Sequence, residues 1–217
     1  MEGSIPGGGA GTVGGMDRFR GYITGLGTAS GTRLVVGHWL DSPFGAFTDV
    51  MAEDDDGVRT LLAPSDAVAE YVGGTYRFDR TVVTPVEAQL DAADPAAGVL
   101  RVAAGPLRLE VRLGPVTFLG RLLEHVTAPL AVSPGWLRLI NPVAGLMVPG
   151  VQTAGSAGGG RREFYGVRSI RSLTGVTAAW DGVDLGPLRP VEPPVKFGFS
   201  SVPATPQIVA VTTTILP

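Results

Sequence analysis

The chain has 217 residues, a formal net charge of −3, 44% hydrophobic residues and a mean hydropathy of +0.25. A substantial core is therefore available and global disorder is excluded, while the slightly acidic balance argues against a dedicated nucleic-acid binder. No cysteine is present, which removes disulfides, thiolate catalysis and cysteine-ligated metals, and 32 glycines with 18 prolines favour strands and turns over long helices.

The opening MEGSIPGGGAGTVGG has neither the basic nor the apolar region of a secretory signal. Residues 1–16 read as a flexible Gly-rich tail, with Met16 as an alternative start, and residues 17–217 as a single β-barrel domain. Gly37-His38-Trp39 marks a strand end. FGAFTDVMAE and VRTLLAP then flank DDDG. Asp54, Asp55 and Asp56 have the look of metal ligands, but Asp56-Gly57 between two apolar runs is a hairpin signal that asks for φ > 0 at both residues. SDAVAEYVGGTY reads as a helix with Ser65 as N-cap, Val68, Ala69 and Val72 on one face, and an end at Gly73-Gly74.

Further along, GVLRVAA and PLRLEVRL form a hairpin across Gly105-Pro106. Leu107, Leu109, Val111 and Leu113 face the core, opposite Arg108, Glu110 and Arg112. PVTFLGRLLEHV reads as an amphipathic helix with Pro115 near its first position. PGWLRLINP fits a short helix or a strand. The apolar LINPVAGLMVPGV is broken by Asn141, Pro142, Gly145 and Pro149, which is wrong for a membrane span. REFYGVRSIRSLTGVTAAW, the Asp181-Gly182 turn and the β-branched QIVAVTTTIL complete a mainly β chain with a few short helices.

Chemical motifs are sparse. AGSAG around Ser156 lacks the first glycine of a nucleophile elbow and reads as loop. His38 and His125 form no metal-binding pattern, so neither a metal nor any other cofactor is expected; His125 reads as a solvated surface residue and His38 as a pocket-mouth residue. In RREFYGVRSIRS, alternation places Arg168 with Phe164, Gly166 and Ile170, and sets Arg171 on the wet side. An arginine on an apolar face needs an internal carboxylate or an anionic ligand, which makes Arg168 the candidate contact for a carboxylate. Lys196, the sole lysine, lies between Val195 and Phe197, and alternation turns it to solvent.

The segment order resembles the acetoacetate decarboxylase-like family. The residues that carry this are SPFGAFTDVM, with Asp49 at the family's acidic strand position, and LLAPSDAVAEYVGGTYRFDRTVV, followed by WLRLINP, AAWDGVDLGPL and PVKFGFSSVPATPQIVAVTTTIL. The likeness covers about residues 30 to 216. It implies a large antiparallel β-barrel or cone. Tyr76 and Phe78 match the family's aromatic turn, but Asp79, Arg80 and Thr81 stand where it carries Pro-Lys-Lys. Arginine keeps its proton, so Arg80 cannot form a Schiff base, and the family's decarboxylation route is not expected. The Gly37-His38-Trp39 pattern alternatively resembles lipocalin-like barrels.

Three functional expectations follow. The first is a barrel that binds a small carboxylate or carbonyl compound without covalent catalysis, with Arg80 and Arg168 at its anionic end and Asp49, Tyr76 and Trp39 shaping the pocket. The second is an enzyme on a keto acid or similar substrate, with Asp49 as general acid or base buried beside Arg80. The third is a filled barrel that acts as an interaction module, with LINPVAGLMVPGV as its patch or homo-oligomer interface. The expected setting is the cytoplasm, with a small organic ligand as partner and neither membrane nor nucleic acid.

Overall fold

In the computed structural model the described residues are 17–94, 96–124, 154–156, 162–198 and 202–216. The first half is a meander of β1 (Asp17–Thr28), β2 (Arg33–Asp41), β3 (Phe47–Glu53) and β4 (Arg59–Ala63), followed by α1 (Asp66–Thr75) and β5 (Arg80–Val83). The second half contains β6 (Val86–Asp91), β7 (Gly98–Ala104), β8 (Leu107–Val116), α2 (Phe118–Glu124), β9 (Ala154–Ser156) and β10 (Arg162–Trp180). Two short strands, β11 (Val183–Asp184) and β12 (Leu188–Arg189), precede the last, β13 (Gln207–Leu216).

All strands belong to one sheet in the order β5-β4-β3-β2-β1-β13-β10-β8-β7-β6, with β9 and β11 on β10 and β12 on β1. The two halves are each a meander and are stitched together by β1 against β13. Every pairing is antiparallel except β4 with β5, which α1 connects. That parallel step departs from a plain up-and-down meander, the plan of the lipocalin-like alternative. Val36, Val50 and Leu62 from one half pack in the same cluster as Leu100, Leu107 and Val111 from the other. The sheet is therefore curled, and its concave face carries the main cluster of buried leucines and valines.

The outer face is covered too. Val191, Val195 and Phe197 pack on Val35, and α1 lays Val68 and Val72 on Leu61 and Ala63. Strands β3 and β4 are thus sandwiched, which is why their residues are buried with little alternation. Lys196 points to solvent between buried Val195 and Phe197, as alternation requires.

Several local expectations need correction. In DDDG only Gly57 has positive φ (82°). Asp54 Oδ1 accepts the Val58 N–H at 2.8 Å and holds a wider loop than a two-residue turn. Helix α1 runs through Gly73 and Gly74 to Thr75, whose hydroxyl donates to the Tyr71 carbonyl at 3.1 Å. Pro115 belongs to β8, and α2 begins after Thr117, whose Oγ1 accepts the Gly120 N–H at 3.0 Å. Ser156 ends strand β9 and does not lie in a loop. The tail, His125, PGWLRLINP and LINPVAGLMVPGV lie outside the described residues. No helix among the described residues is long and apolar enough to cross a membrane.

Candidate functional site

The register of β2 against β3 places Gly37 opposite Asp49. Val50 enters the concave core, so Asp49 faces the outer side, as do Trp39 and Phe47. Asp49 is 3% exposed, and its Oδ1 accepts the Trp39 Nε1–H at 3.1 Å. A Cβ on residue 37 would stand 2.6 Å from that oxygen and 2.7 Å from the indole nitrogen, so only glycine leaves room for the bond. Phe19, Phe44 and Tyr71 continue the ring cluster, with centroids 5.5 Å apart for Phe19–Trp39 and 5.0 Å for Phe44–Tyr71. Burial pushes the Asp49 carboxyl up to about 7, against the opposing pull of the Trp39 bond and its own backbone N–H.

The other expected site residues do not gather there. Arg80 is exposed on the edge strand β5, opposite Thr60, whereas Asp49 neighbours Val50, which faces Leu62 at the far end of β4. Asp49 and Arg80 are therefore not adjacent, and the expectation of a buried pair is corrected. Tyr76 follows α1 and packs with Phe78 and Phe197, its ring against Gly198. Trp39 alone of the expected partners touches Asp49.

Arg168 is exposed, which overturns its expected place on the apolar face. The ladder of β10 with β13 steps from Val167–Val211 to Ser169–Ala210 and skips Arg168, which is the extra residue of a β-bulge. A bulge inverts the alternation beyond it. Arg171, read as solvated, is consequently buried at 8% exposure. It faces Ile208, which faces Thr24, so all three lie on the concave side.

Arg171 Nε donates to the Gly114 carbonyl at 2.9 Å and Nη1 to the Ala92 carbonyl at 3.5 Å. Among the described residues its Nη2 is buried without a partner, and so is the hydroxyl of Thr24. Among the described residues no carboxylate pairs with it; the ion pairs are Arg33–Glu53, Arg59–Asp79 and Arg101–Glu110. One row further along the same face, His38 Nδ1 and Thr48 Oγ1 are 2.8 Å apart, and Tyr22 stacks on the imidazole at 6.4 Å. Desolvation holds the His38 pKa below its ordinary value. Among the described residues no group of acidic and histidine side chains could hold a metal ion. Comparison with protein-family models, curated proteins and solved structures finds no match to this chain.

Proposed function

We propose that the protein binds a small organic carboxylate on the concave face of its curled sheet, with Arg171 as the cation and no covalent chemistry. The observation that carries this reading is a guanidinium out of water with a free buried N–H and, among the described residues, no carboxylate paired with it. An unpaired buried charge costs several kcal/mol on the order of a desolvated ion, and an incoming carboxylate offsets that cost. The sequence narrows the internal alternatives: residues 125 to 161 contain neither aspartate nor glutamate. Thr24 supplies a second donor on the same face. Arg168 and Arg80, both exposed, fit this role less well, and so do Tyr76, Trp39 and Asp49 on the outer face.

The acetoacetate decarboxylase-like relation remains part of this proposal. Its support is the placement of Asp49 on β3 and the β4–α1–β5 passage, which carries Tyr76 and Phe78 between α1 and β5. Lys196, exposed and bonded through its backbone N–H to Glu53, offers no substitute for the family's lysine pair. A second reading, acid–base catalysis by Asp49, is favoured by its burial, which pushes the carboxyl up to about 7 and so towards proton transfer at neutral pH. It lacks the Arg80 partner it called for.

The test is calorimetric titration of acetate, pyruvate and benzoate into the full chain and into Arg171→Met and Thr24→Val. The expected result is binding of at least one acid by the wild type and at least about tenfold weaker binding by Arg171→Met, the loss of a charge-assisted bond. Undiminished binding by a folded Arg171→Met protein, or no binding of any acid together with no adduct in native mass spectrometry, overturns the reading.

A further inference from the structure

The geometry points to the outer face of β6, β7 and β8 as a self-complementary interface, on which a second copy of this chain docks about a two-fold axis along β7. Leu100, Val102, Leu109 and Val111 point into the concave core, so the residues alternating with them stand on the outer face. The ladders set Glu87, Ala103 and Arg108 in one row across the three strands, and Asp91, Val99 and Arg112 in another. Both rows have the same make-up: an acid on β6, an apolar residue on β7 and an arginine on β8. All four charged residues are exposed, and among the described residues none of them has an ion-pair partner. Within one chain the acid and the arginine of a row are two strands, about 10 Å, apart. The arginines also turn away from the acids. Arg108 Nη1 donates to the Gly105 and Leu107 carbonyls at 2.8 and 2.9 Å, and Arg112 lies over Gly175 of β10, where any Cβ would collide with it.

A two-fold axis laid along β7, between two such faces, exchanges β6 with β8 and keeps every residue in its own row. Glu87 then faces Arg108 of the second copy, and Asp91 faces Arg112 of the second copy, with both contacts repeated by the symmetry. In the row between them, Gln89 faces Glu110 of the second copy, and its amide donates to that carboxylate. Arg101 meets its own equivalent on the axis, a repulsion reduced by the Glu110 carboxylate that each copy already holds at 2.8 Å. Val99 and Ala103, both half-buried, meet their equivalents at the centre. Packed sheets lie about 10 Å apart, a span that an arginine and a carboxylate side chain bridge together. Surface ion pairs are individually weak, so the dimer rests on their sum and is sensitive to salt.

Sedimentation velocity of the full-length chain over a concentration series should show a monomer–dimer equilibrium at low ionic strength, weakened at least about tenfold by high salt. Arg108→Glu, Glu87→Arg and Asp91→Arg each set like charges against one another in the homodimer and should weaken it at least about tenfold. An equimolar mixture of Arg108→Glu and Glu87→Arg should recover the dimer, because acid and base then face each other again in that row. The mixture of Arg108→Glu and Asp91→Arg carries the same net charges but breaks two different rows, and it should stay monomeric. Recovery in the first mixture also shows that both variants fold. A wild type that is monomeric at low salt overturns the proposal. So does a dimer indifferent to Arg108→Glu, which places the interface elsewhere, or equal recovery in both mixtures, which reports net charge alone.

Discussion

Asp49 is set by its surroundings, not by a neighbouring cation: burial raises its carboxyl to about 7. An unfolded aspartate titrates near pH ~3.9, so between about pH 4 and about pH 7 the folded protein keeps a proton that the unfolded chain has lost. Folding stability therefore falls as pH rises through that window and levels off above it, by a total on the order of 4 kcal/mol. Asp49→Asn should remove the slope and leave the variant more stable than wild type at pH 8. His38 acts in the opposite sense, because its lowered pKa makes protonation costly as pH falls. The difference between urea denaturation of wild type and variant across pH isolates Asp49, and superimposable profiles would reject the assignment. Asp49 was legible in the sequence as an acid inside a strand. Its glycine partner was not, because Gly37 and Asp49 meet only through the β2–β3 register.

At the scale of the element, the turns show what local sequence can and cannot specify. Asp181 and Gly182 have φ of 49° and 80° and join the paired Trp180 and Val183 in a two-residue hairpin. Both positive angles follow from the dipeptide itself. Gly182→Val should cost about 1–2 kcal/mol, the strain of a β-branched residue in the left-handed region, seen as a lower urea midpoint at unchanged m-value. An unchanged midpoint would mean that the turn relaxes to another type. The alternation of β8 was equally readable, with Leu107, Leu109, Val111 and Leu113 all buried. In β10 the same reasoning failed, because a bulge depends on the β13 partner and leaves no mark in the strand's own composition. One skipped residue exchanged the roles of Arg168 and Arg171, and with them the candidate ligand contact.

The whole molecule is organised by the pairing of segments far apart in the chain. β1 runs against β13 over nine consecutive pairs, from Asp17–Ile215 to Gly25–Gln207, in the middle of the sheet. At the two ends of the path, β5 and β6 are consecutive in sequence, yet no ladder joins them. The least local join is thus a long, continuous ladder, and the break falls at a short local connection. A mainly β sequence predicted the class of this architecture, but its closing pair requires residues some two hundred positions apart, which no local pattern specifies. Such a sheet folds slowly, because the loop entropy is lost before β1 and β13 can pair. It also suggests where the chain tolerates cutting. A circular permutant that begins at Val86, links residue 216 to Asp17 through a short Gly/Ser connector and ends at Val83 keeps every pairing of the sheet. It should retain the wild-type circular dichroism spectrum and a cooperative melt. Deleting β13 removes the central strand and should abolish that melt. If the permutant failed to fold while the β13 deletion still melted cooperatively, the sheet order described above would be wrong.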